Sequence, residues 1–502
     1  MKKTASIVEP DVLELNVSDP GSIAAEHLYA CYKGPNDVSR LVRFNQAWLV
    51  WNDGCYKPFT DEYFRAKTRN WLEQQTLVRY DKNGDLVPAV CTVRHVTEVL
   101  DGLLSRTALQ AEETGFFWIR PENSFTDAAS IVTFRNGLLD TNKMKLHKHT
   151  PDWFAIATLP YDYDRTAKCP NWLNWLAQTS EEDEDWIECL QLWFGYNLIP
   201  DTSRQKFAHF YGLPRSGKGT AMRILIALLG AWNCASPTLS QLGSNKYVLS
   251  TMVGKLAVMV SDAVISRNVD SKVVMEILSA IIGEDCVAID EKYKAIASSV
   301  KLAVRFTITS NEPLKWPDPT NKLAARCLVF PFARSYAGKE DPKVEAALMS
   351  ELPGIANWAL EGLRKLKAGA QLRGPKKGLE KHQLFRDLDS PLNVFCRTML
   401  KETALKNPHS GQVLGVPVDA VHELWFAWSK DEGRMTKGQT KTHVKSLILN
   451  AFPHVEIKNR GPRGAQKQTY VGLLLTTEGT RKLRQALKRK GNIQDFKASL
   501  GI

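Results

Sequence analysis

A glycine-rich segment with a single lysine lies at residues 212–220, GLPRSGKGT, between an apolar run and a run with helical periodicity. Such a loop can turn consecutive backbone N–H groups toward a phosphate, and the start of the following helix adds a partial positive charge. The strand–loop–helix order predicts a P-loop, in which Lys218 reaches the β- and γ-phosphates of a nucleotide. The candidate nucleotide-binding residues are Gly212, Arg215, Ser216, Gly217, Lys218, Gly219 and Thr220.

Two side chains are candidates to hold a Mg²⁺ ion beside this loop. A P-loop usually has Ser or Thr directly after the lysine, but this chain has Gly219 there and Thr220 one position later. The sequence leaves open whether Thr220 contacts the metal directly or through a water. Asp262 follows the apolar run 256–260, LAVMV, and is the expected metal carboxylate. No second acid follows Asp262, so the residue that orients the attacking water is not visible.

Two further polar residues follow or precede apolar runs downstream. Asn311 comes after the run FTITS at 306–310 and is a candidate sensor of the γ-phosphate. Arg326 precedes the apolar run CLVFPF at 327–332. In an oligomeric nucleotide hydrolase such an arginine can reach the neighbouring subunit's γ-phosphate as an arginine finger. Arg334 is the competing candidate for that role.

A charged segment lies between the two apolar runs that end near Asp262 and Asn311. It reads GEDCVAIDEKYK over residues 283–294 and carries Lys292 and Lys294. An exposed charged loop without a function explains this composition equally well. The functional alternative is a hairpin whose two lysines contact nucleic-acid phosphates.

The pattern around these residues predicts alternating strands and helices. Strands are expected at Lys206–Tyr211, Leu256–Val260 and Val304–Thr309, and helices at Thr220–Leu229 and Ser271–Ile282. Strands that alternate with helices indicate a largely parallel sheet covered on both faces. The acidic and the polar residue that follow two of these strands are then expected in the same sheet as the glycine loop.

Residues before 206 predict a mixed α/β region followed by helices. Asn45–Tyr56 is typical of a hairpin with Asn52-Asp53-Gly54 as its turn. Glu62–Gln75 has helical periodicity, and residues 131–139 predict a strand and a turn. Pro170–Leu198 predicts a helical stretch interrupted by the acidic run Glu181–Asp185, for which a solvated helix start is favoured over a functional site.

One C-terminal segment carries a net positive charge equal to that of the whole chain. The net charge of the whole chain is +12, and residues 434–490 hold 14 basic and two acidic residues, a net of +12. The rest of the chain is therefore neutral overall. This distribution indicates a terminal domain that binds a polyanion.

The basic segment has the element order of a winged helix-turn-helix domain. Helices are expected at Val418–Ser429 and Thr440–Ala451, strands at His454–Lys458 and Thr469–Leu474, and a basic helix at Glu478–Lys490. In such a domain one helix enters the major groove and the hairpin follows phosphates. The candidate DNA-binding residues are Lys441, His443 and Lys445 on the helix and Lys458, Arg460, Arg463 and Lys467 on the hairpin.

Composition excludes several classes of protein. Hydrophobic residues make up 44% and charged residues 24%, which excludes a mostly disordered chain or a coiled-coil rod. No apolar run is long enough for a membrane span, and the first residues do not read as a secretory signal. The nine cysteines are scattered, which predicts neither a zinc site nor a disulfide framework. A reducing cytoplasm fits best.

Taken together, the glycine loop, Asp262, residues 283–292, Ser310-Asn311 and Arg326 resemble superfamily 3 helicases of the AAA+ class, in particular the phage, plasmid and poxvirus primase–helicase family. Upstream, residues 133–140 (TFRNGLLD), 169–172 (CPNW) and 194–196 (FGY) resemble the region that precedes the helicase in that family. The resemblance covers roughly residues 40–475. It implies ATP-driven translocation on DNA by a ring, usually a hexamer, with ATP and Mg²⁺ at sites between subunits. Arg326 would then act in trans, and Lys292 and Lys294 would project into the central channel.

We therefore expect an α/β protein with an AAA+ P-loop core, an N-terminal α+β region and a C-terminal winged-helix domain. The expected divisions are a flexible start at residues 1–40, a pre-helicase region at 41–205, the ATPase at 206–385 and the basic winged-helix domain at 386–502. A primase domain is not expected, because only Asp162-Tyr163-Asp164 resembles a metal-binding acid pair and its context near Pro160 indicates a turn. A separate primase is a possible partner.

The leading function is a replicative DNA helicase of a phage, prophage or other mobile element. One alternative is a DNA-binding replication initiator whose ATP site controls assembly without unwinding. The other is a nucleotide kinase, because small-molecule phosphotransferases share the sequence Gly217-Lys218-Gly219-Thr220. The basic C-terminal segment and the Ser310-Asn311 strand favour the helicase over the kinase.

Overall fold

The computed structural model describes most of the chain. The described ranges are 12–34, 38–44, 47–109, 115–245, 247–263, 271–289, 298–312, 314, 322–339, 341–380, 391–406, 411–431, 440–461 and 466–489. The chain forms two compact units. The first lies within Met1–Val269, Glu276–Glu312 and Leu328–Lys377, and the second within Asp270–Met275, Pro313–Cys327 and Gly378–Ile502. Within the described ranges, no helix has both the length and the apolar character needed to cross a membrane.

Ordered elements appear earlier in the chain than the sequence predicts. The first elements are β1 (Glu14–Asn16), α1 (Gly21–Ala30), β2 (Leu41–Phe44), β3 (Ala47–Asn52), β4 (Cys55–Phe59), α2 (Asp61–Glu73), β5 (Thr76–Tyr80), β6 (Leu86–Pro88) and α3 (Val93–Thr107). Strand β1 pairs in parallel with β5, and Leu15, Ala25 and Leu28 are buried in an apolar core. The expectation of a flexible start over residues 1–40 is wrong for its described part, because these apolar side chains dock on the following elements.

The hairpin predicted within Asn45–Tyr56 is present in the described residues. Strands β3 and β4 pair antiparallel with Asn52 opposite Cys55, which leaves a two-residue turn. Its residues Asp53 and Gly54 have φ angles of 50° and 87°. Positive φ at both central positions is what a type I′ turn requires, so the Asp-Gly pair sets the register of the hairpin.

A second group of elements precedes the glycine loop. It comprises β7 (Phe117–Trp118), β8 (Ile131–Phe134), β9 (Gly137–Asp140), β10 (Lys145–His147), β11 (Trp153–Phe154), α4 (Pro170–Ser180) and α5 (Glu184–Asn197). The predicted strand and turn near 131–139 and the predicted helical stretch are confirmed. Within the acidic run, Asp183 caps α5 by accepting a hydrogen bond from the backbone N–H of Trp186 at 3.1 Å. The acidic run Glu181–Asp185 therefore lies at the start of a helix, as the sequence analysis favoured.

The region around the candidate site is a sheet with flanking helices. Its elements are β12 (Phe207–Gly212), α6 (Lys218–Leu229), β13 (Cys234–Ala235), α7 (Leu239–Ser244), β14 (Ala257–Val260), α8 (Ser271–Ile282), β15 (Cys286–Ile289), β16 (Ser298–Lys301), β17 (Arg305–Ser310), α9 (Lys322–Arg326) and β18 (Cys327–Phe332). The central sheet has the strand order β13-β14-β17-β12-β18. The pairs β13–β14, β14–β17 and β17–β12 are parallel, which confirms the predicted parallel sheet. Strand β17 lies between β12 and β14 although it follows both in the chain.

Helices α10 (Lys343–Ser350) and α11 (Leu352–Lys367) lie C-terminal to this sheet. Helix α11 packs closely on α5 because glycine stands at the crossing on both helices. A Cβ added to Gly362 would lie 2.2 Å from the carbonyl oxygen of Gln191, and one added to Gly195 would lie 2.4 Å from that of Ala359. Any larger residue would force these two helices apart.

One apolar core joins the pre-helicase region to the sheet. It includes Trp172, Trp193, Phe210 and Phe330, all fully buried, and reaches from Phe116 to Leu372. The predicted boundary between residues 205 and 206 falls inside this core. The structure therefore does not separate residues 41–205 from the sheet that follows them.

The first residue of β17 is a fully buried cation. The guanidinium of Arg305 donates hydrogen bonds to the carbonyl oxygens of Asp201 at 2.7 Å, Leu256 at 2.9 Å and Asn197 at 3.3 Å. It also lies 5.4 Å from the centre of the Tyr196 ring. Burial lowers the pKa of Arg305 to about 10, so the group stays charged at neutral pH. Because α5 ends at Asn197, the cation meets the negative end of that helix dipole.

The C-terminal part of the second unit is a small α/β fold. Its elements are α12 (Pro391–Met399), β19 (Leu400–Glu402), β20 (Gly415–Pro417), α13 (Val418–Asp431), α14 (Lys441–Ala451), β21 (Glu456–Arg460), β22 (Lys467–Val471), β23 (Leu473–Leu475) and α15 (Thr477–Arg489). Strands β20, β22 and β21 form an antiparallel sheet in that order. The helices and the hairpin follow the predicted order, with β20 as an additional third strand.

The predicted strand Thr469–Leu474 is two strands. Gly472, with φ of 90°, separates β22 from β23. Strand β22 pairs with β21, whereas β23 pairs with β19. A left-handed glycine permits the sharp change of direction that carries the chain from one partner to the other.

We predict that Arg305→Met destabilises the first unit. The carbonyl oxygens of Asp201 and Asn197 would lose this donor, whereas that of Leu256 keeps the backbone N–H of residue 305 at 3.3 Å. Each orphaned acceptor costs about 1–3 kcal/mol, only part of which apolar packing of the methionine offsets. The midpoint of thermal unfolding, followed by circular dichroism, should fall by roughly 5–10 °C. Arg364→Met is the control, because Arg364 pairs with Glu361 at the surface and its loss should change the midpoint little. An unchanged midpoint for Arg305→Met would contradict the assignment.

Candidate functional site

The glycine loop, residues 212–220, joins the end of β12 to the start of α6. Arg215 and Gly217 have φ angles of 57° and 93°, both left-handed. Helix α6 begins at Lys218, and no side chain caps its first N–H groups. A loop with left-handed residues, followed by an uncapped helix start, presents several unpaired N–H donors to one ligand. This arrangement suits a phosphate.

The back of the loop packs against α4. A Cβ added to Gly217 would lie 3.1 Å from the indole of Trp175 and 3.6 Å from the methyl group of Thr179. At the start of the loop, a Cβ on Gly212 would lie 2.1 Å from the carbonyl oxygen of Phe332. The loop is therefore held between a helix of the pre-helicase region and the edge strand β18.

The ammonium group of Lys218 is turned into the loop. It donates hydrogen bonds to the carbonyl oxygens of Gly212 at 2.8 Å and Leu213 at 2.6 Å, and to Ser216 Oγ at 3.3 Å. Burial lowers the pKa of Lys218, and the negative charge of Asp262 opposes that shift. A bound phosphate would favour the charged form in the same way, because an anion nearby raises the pKa of an amine.

A brace behind the loop was missed by the sequence analysis. Ser335 Oγ donates a hydrogen bond to the carbonyl oxygen of Pro214 at 3.2 Å. The backbone N–H of Tyr336 donates one to the carbonyl oxygen of Arg215 at 2.9 Å. The hydroxyl of Tyr336 bonds to Thr179 Oγ1 at 3.1 Å. The only signal in the sequence was the position of this segment directly after the apolar strand β18.

Arg334 belongs to the same brace. Its guanidinium donates to the carbonyl oxygen of Gln178 on α4 at 3.2 Å and lies 5.3 Å from the centre of the Tyr336 ring. The side chain is thus engaged with the elements that support the loop of its own chain.

Asp262 stands at the end of β14 in a left-handed conformation, with φ of 44°. Its backbone N–H donates to Thr309 Oγ1 at 2.9 Å, and the N–H of Ala263 donates to the carbonyl oxygen of Thr309 at 2.7 Å. The carboxylate is exposed. A non-glycine residue at positive φ carries strain of order 1–3 kcal/mol, and such residues concentrate at functional sites.

Strand β17 ends at the candidate sensor. His209 on β12 bonds through Nε2 to Ser310 Oγ at 2.7 Å, and Ser310 Oγ donates to the carbonyl oxygen of Glu312 at 2.6 Å. Since a hydroxyl has one proton, His209 must be the donor to Ser310. His209 and Ser310 are buried, whereas Asn311 and Glu312 are exposed.

The carboxyl ends of β12, β17 and β14 bring the predicted residues to one edge of the sheet. The glycine loop, Asn311 and Asp262 follow these three adjacent strands in that order. Ligands of open α/β sheets bind at this edge, outside the carboxyl ends of the strands.

The donor set at this edge fits Mg²⁺ better than a metal held by protein ligands alone. Among the described residues no three His, Cys, Asp or Glu side chains form a metal cluster. Mg²⁺ bound with a nucleotide needs only one or two carboxylates, because phosphates and water supply its other ligands. Asp262 meets that need. Thr220 Oγ1 accepts a hydrogen bond from Arg223 at 3.4 Å, and Arg223 in turn pairs with Glu345 at 2.8 Å. Because the hydroxyl of Thr220 is engaged by Arg223, its role as a metal ligand stays a prediction.

Other predicted site residues lie elsewhere. Arg326 is the last residue of α9, immediately before β18, and is half-buried. Strands β15 and β16 pair antiparallel, from Cys286 opposite Lys301 to Ile289 opposite Ser298. They form the arms of the predicted hairpin, while Lys292 and Lys294 lie outside the described residues.

The predicted DNA-binding residues of the second unit make contacts at its surface. Lys441 pairs with Asp419, and Lys445 donates to Gln468 Oε1 at 2.9 Å. Lys458 pairs with Glu456 at 2.6 Å, Arg460 donates to the carbonyl oxygen of Val413, and Lys467 is exposed. Arg463 and the side chain of His443 lie outside the described residues. Exposed ion pairs of this kind are worth about 0–1 kcal/mol, so they are readily exchanged for phosphates.

A second basic face was not assigned from the sequence. On α15, Leu483 and Leu487 are buried, while Arg481, Arg484 and Lys488 are exposed on the opposite side. Their spacing of three and four residues places these three cations on one helix face. The buried leucines fix which face of α15 is turned outward.

Two family models match the chain. The model described as "D5 N terminal like" matches residues 40–181, and the "Family of unknown function (DUF5906)" matches residues 210–326. Both are typical of phage and viral primase–helicase proteins. The second match contains the glycine loop, Asp262, Asn311 and Arg326, so the candidate site lies within it.

Individual proteins are more distantly similar. The "Uncharacterized mitochondrial protein ymf21" of Marchantia polymorpha is 23% identical over 124 residues, which are 22% of this chain and 69% of that protein. Among solved structures, the A form apo structure of the NrS-1 C-terminal region is 12% identical with a TM-score of 0.46, covering 85% of this chain and 94% of that one. An apo structure of NrS-1 residues 305–718 is 13% identical with a TM-score of 0.44, covering 86% and 94%.

We predict that Gly217→Ala weakens binding of a nucleoside triphosphate at least tenfold. The added methyl group meets Trp175 and an alanine at φ of 93° is strained, so the loop must change shape. Binding of a fluorescent triphosphate analogue measures the effect. Gly84→Ala is the matched control, because Gly84 has φ of 87° but nothing within 4 Å of the added Cβ. Equal affinity in all three proteins would show that the loop does not bind the phosphates.

Proposed function

We propose that this protein is an ATP-dependent replicative DNA helicase of a phage, prophage or other mobile element. The observation that carries the proposal is the order of strand ends at the sheet edge, where the glycine loop, Asn311 and Asp262 follow adjacent parallel strands. The two family matches, which are typical of primase–helicase proteins, support it. The resemblance to superfamily 3 helicases of the AAA+ class adds translocation on single-stranded DNA as a ring, usually a hexamer.

The residues at the sheet edge have separate roles in binding and hydrolysing ATP. Backbone N–H groups of the glycine loop and of the start of α6 bind the phosphates. Lys218 exchanges its carbonyl partners for phosphate oxygens. Asp262 holds Mg²⁺, with Thr220 as a second candidate ligand, and the metal supplies charge neutralisation at the phosphates. Asn311 senses the γ-phosphate through its amide.

The arginine finger is Arg326 in this proposal. Its competitor Arg334 is engaged with α4 and Tyr336 beside the loop of its own chain. A residue held there acts on the nucleotide of its own subunit. Arg326 acts on the neighbouring subunit's nucleotide in a homo-oligomeric ring.

DNA is contacted by two parts of the chain. Lys292 and Lys294, which lie between β15 and β16 in the sequence, contact single-stranded DNA in the central channel. The C-terminal unit acts as a winged-helix domain that binds duplex DNA through its basic surfaces. Its charge then serves loading of DNA, whereas residues 1–433 taken together are neutral.

We predict that Lys218→Ala abolishes ATP hydrolysis and unwinding of forked DNA, because the phosphates lose their positively charged partner. Phosphate release and strand displacement measure the two activities. Lys255→Ala is the matched control: Lys255 is also half-buried with a pKa lowered by burial, and it donates to the carbonyl oxygen of Trp232. Its hydrolysis should stay within about twofold of the parent protein.

The same assay separates the alternatives. Hydrolysis and ATP-dependent assembly on DNA without strand displacement would indicate the initiator. Transfer of phosphate to a nucleotide acceptor, without stimulation by single-stranded DNA, would indicate the kinase. Retained hydrolysis in Lys218→Ala would contradict the assignment of the glycine loop.

We predict that both basic surfaces of the C-terminal unit contact phosphates. About six contacts give a slope near −5 in a plot of log affinity against log salt, and removal of two cations should reduce its magnitude by about 2. Lys441→Ala/Lys445→Ala tests the α14 surface, and Arg484→Ala/Lys488→Ala tests the α15 face. Duplex binding by fluorescence anisotropy at several salt concentrations gives the slope.

The control for the salt titration is Arg364→Ala/Lys365→Ala on α11, which removes two cations from the first unit, one exposed and one half-buried. Its slope should equal that of the parent protein. An unchanged slope in one of the two test variants would exclude that surface from the DNA interface.

A further inference from the structure

Hydrolysis of ATP needs a group that orients the attacking water and accepts its proton, and the sequence around Asp262 offers none. Asp262 is preceded by Ser261 and followed by Ala263. If Asp262 holds the metal, as proposed above, a carboxylate that serves as the base would come from another element.

The sheet supplies one. Among the described residues of the five-stranded sheet, two acids stand within two positions of a strand's carboxyl end: Asp262 after β14 and Glu312 after β17. Both are two residues past the last residue of their strand. The other three strands are followed at those positions by Leu213 and Pro214, Ser236 and Pro237, and Ala333 and Arg334.

The strand register places Glu312 beside the glycine loop. Tyr211 on β12 is paired with Ser310 on β17, so continuing the register sets Glu312 level with Leu213 in the loop. On the other side of β17, Val260 is paired with Ile308. Adjacent strands are about 4.8 Å apart, so β12 and β14 lie about 10 Å apart with Glu312 between their ends. A γ-phosphate held by the glycine loop would lie beyond these strand ends, near Glu312.

The backbone at Glu312 is tied to the strand that carries the loop. Ser310 Oγ donates to the carbonyl oxygen of Glu312 at 2.6 Å, and His209 Nε2 donates to Ser310 Oγ at 2.7 Å. His209 and Ser310 are 2% and 1% exposed, so water does not compete for these bonds. The turn after β17 therefore keeps its place relative to β12.

The carboxylate of Glu312 is available for chemistry. The side chain is exposed, and no hydrogen bond or ion pair engages it within the part of the chain that the structure describes. Two other acids of the first unit are committed to partners. Glu345 pairs with Arg223, and Glu284 accepts a hydrogen bond from Thr202 at 2.6 Å.

We propose that Glu312 is the general base of ATP hydrolysis. This proposal rests on the function proposed above. Its carboxylate orients a water and takes one of its protons while the water oxygen forms a bond to the γ-phosphorus. The bond between that phosphorus and the β,γ-bridging oxygen breaks, and ADP and inorganic phosphate leave. Glu312 then releases the proton to solvent. His209 is a positioning residue that acts through Ser310.

Glu312→Gln tests the proposal in the full-length protein, because glutamine keeps the shape but cannot accept the proton. The turnover number for ATP hydrolysis should fall at least 100-fold, since general-base catalysis contributes 10²–10⁴-fold. The dissociation constant for ATP, measured with Mg²⁺ present, should change less than threefold. Glu122→Gln, an exposed acid remote from the sheet, should match the parent protein in both measurements.

The two readouts separate the possible failures. Hydrolysis within threefold of the parent enzyme in Glu312→Gln overturns the role of Glu312 and leaves the proposed function standing. Parallel loss of ATP binding and hydrolysis assigns Glu312 to binding of the nucleotide or metal and also overturns the proposal. A parent protein that does not hydrolyse ATP while Lys218→Ala behaves identically overturns the proposed function, and the general base with it.

Discussion

The position of strand β17 is the constraint on which the candidate site depends. At its start, the buried guanidinium of Arg305 binds three carbonyl oxygens, two of them at the end of α5 and just beyond it. At its end, the buried bond between His209 and Ser310 ties it to the strand that carries the glycine loop. Both contacts are polar and lie away from water, so a shift of β17 would orphan several buried groups at once.

The same constraint explains why the pre-helicase region and the sheet share a core. Two of the three carbonyl groups that Arg305 binds belong to the segment after Trp193, and the glycine loop rests on Trp175 of the preceding helix. Close helix packing at Gly195 and Gly362 joins this segment to α11. A change in α4 or α5 would therefore reach the glycine loop directly through packed side chains.

Charged residues are used differently at the sheet edge and in the C-terminal unit. The site at the sheet edge uses a few charges in defined places: one buried lysine, one strained aspartate and an exposed glutamate. The C-terminal unit uses many exposed cations, whose ion pairs with Asp419 and Glu456 are weak in water. The first arrangement suits recognition of one small anion, and the second suits a long polyanion whose contacts are individually replaceable.

The sequence by itself determined the glycine loop, the order of strands and helices around it, Asp262, Asn311 and the basic C-terminal unit, because these depend on local spacing, periodicity and composition. Only the tertiary structure decided which strands are neighbours, so it alone placed β17 between β12 and β14 and brought Glu312 to the gap between them. It also revealed the brace at Tyr336 and the ordered start at Leu15, Ala25 and Leu28. Each of these rests on contacts between residues far apart in the chain, which local patterns do not encode.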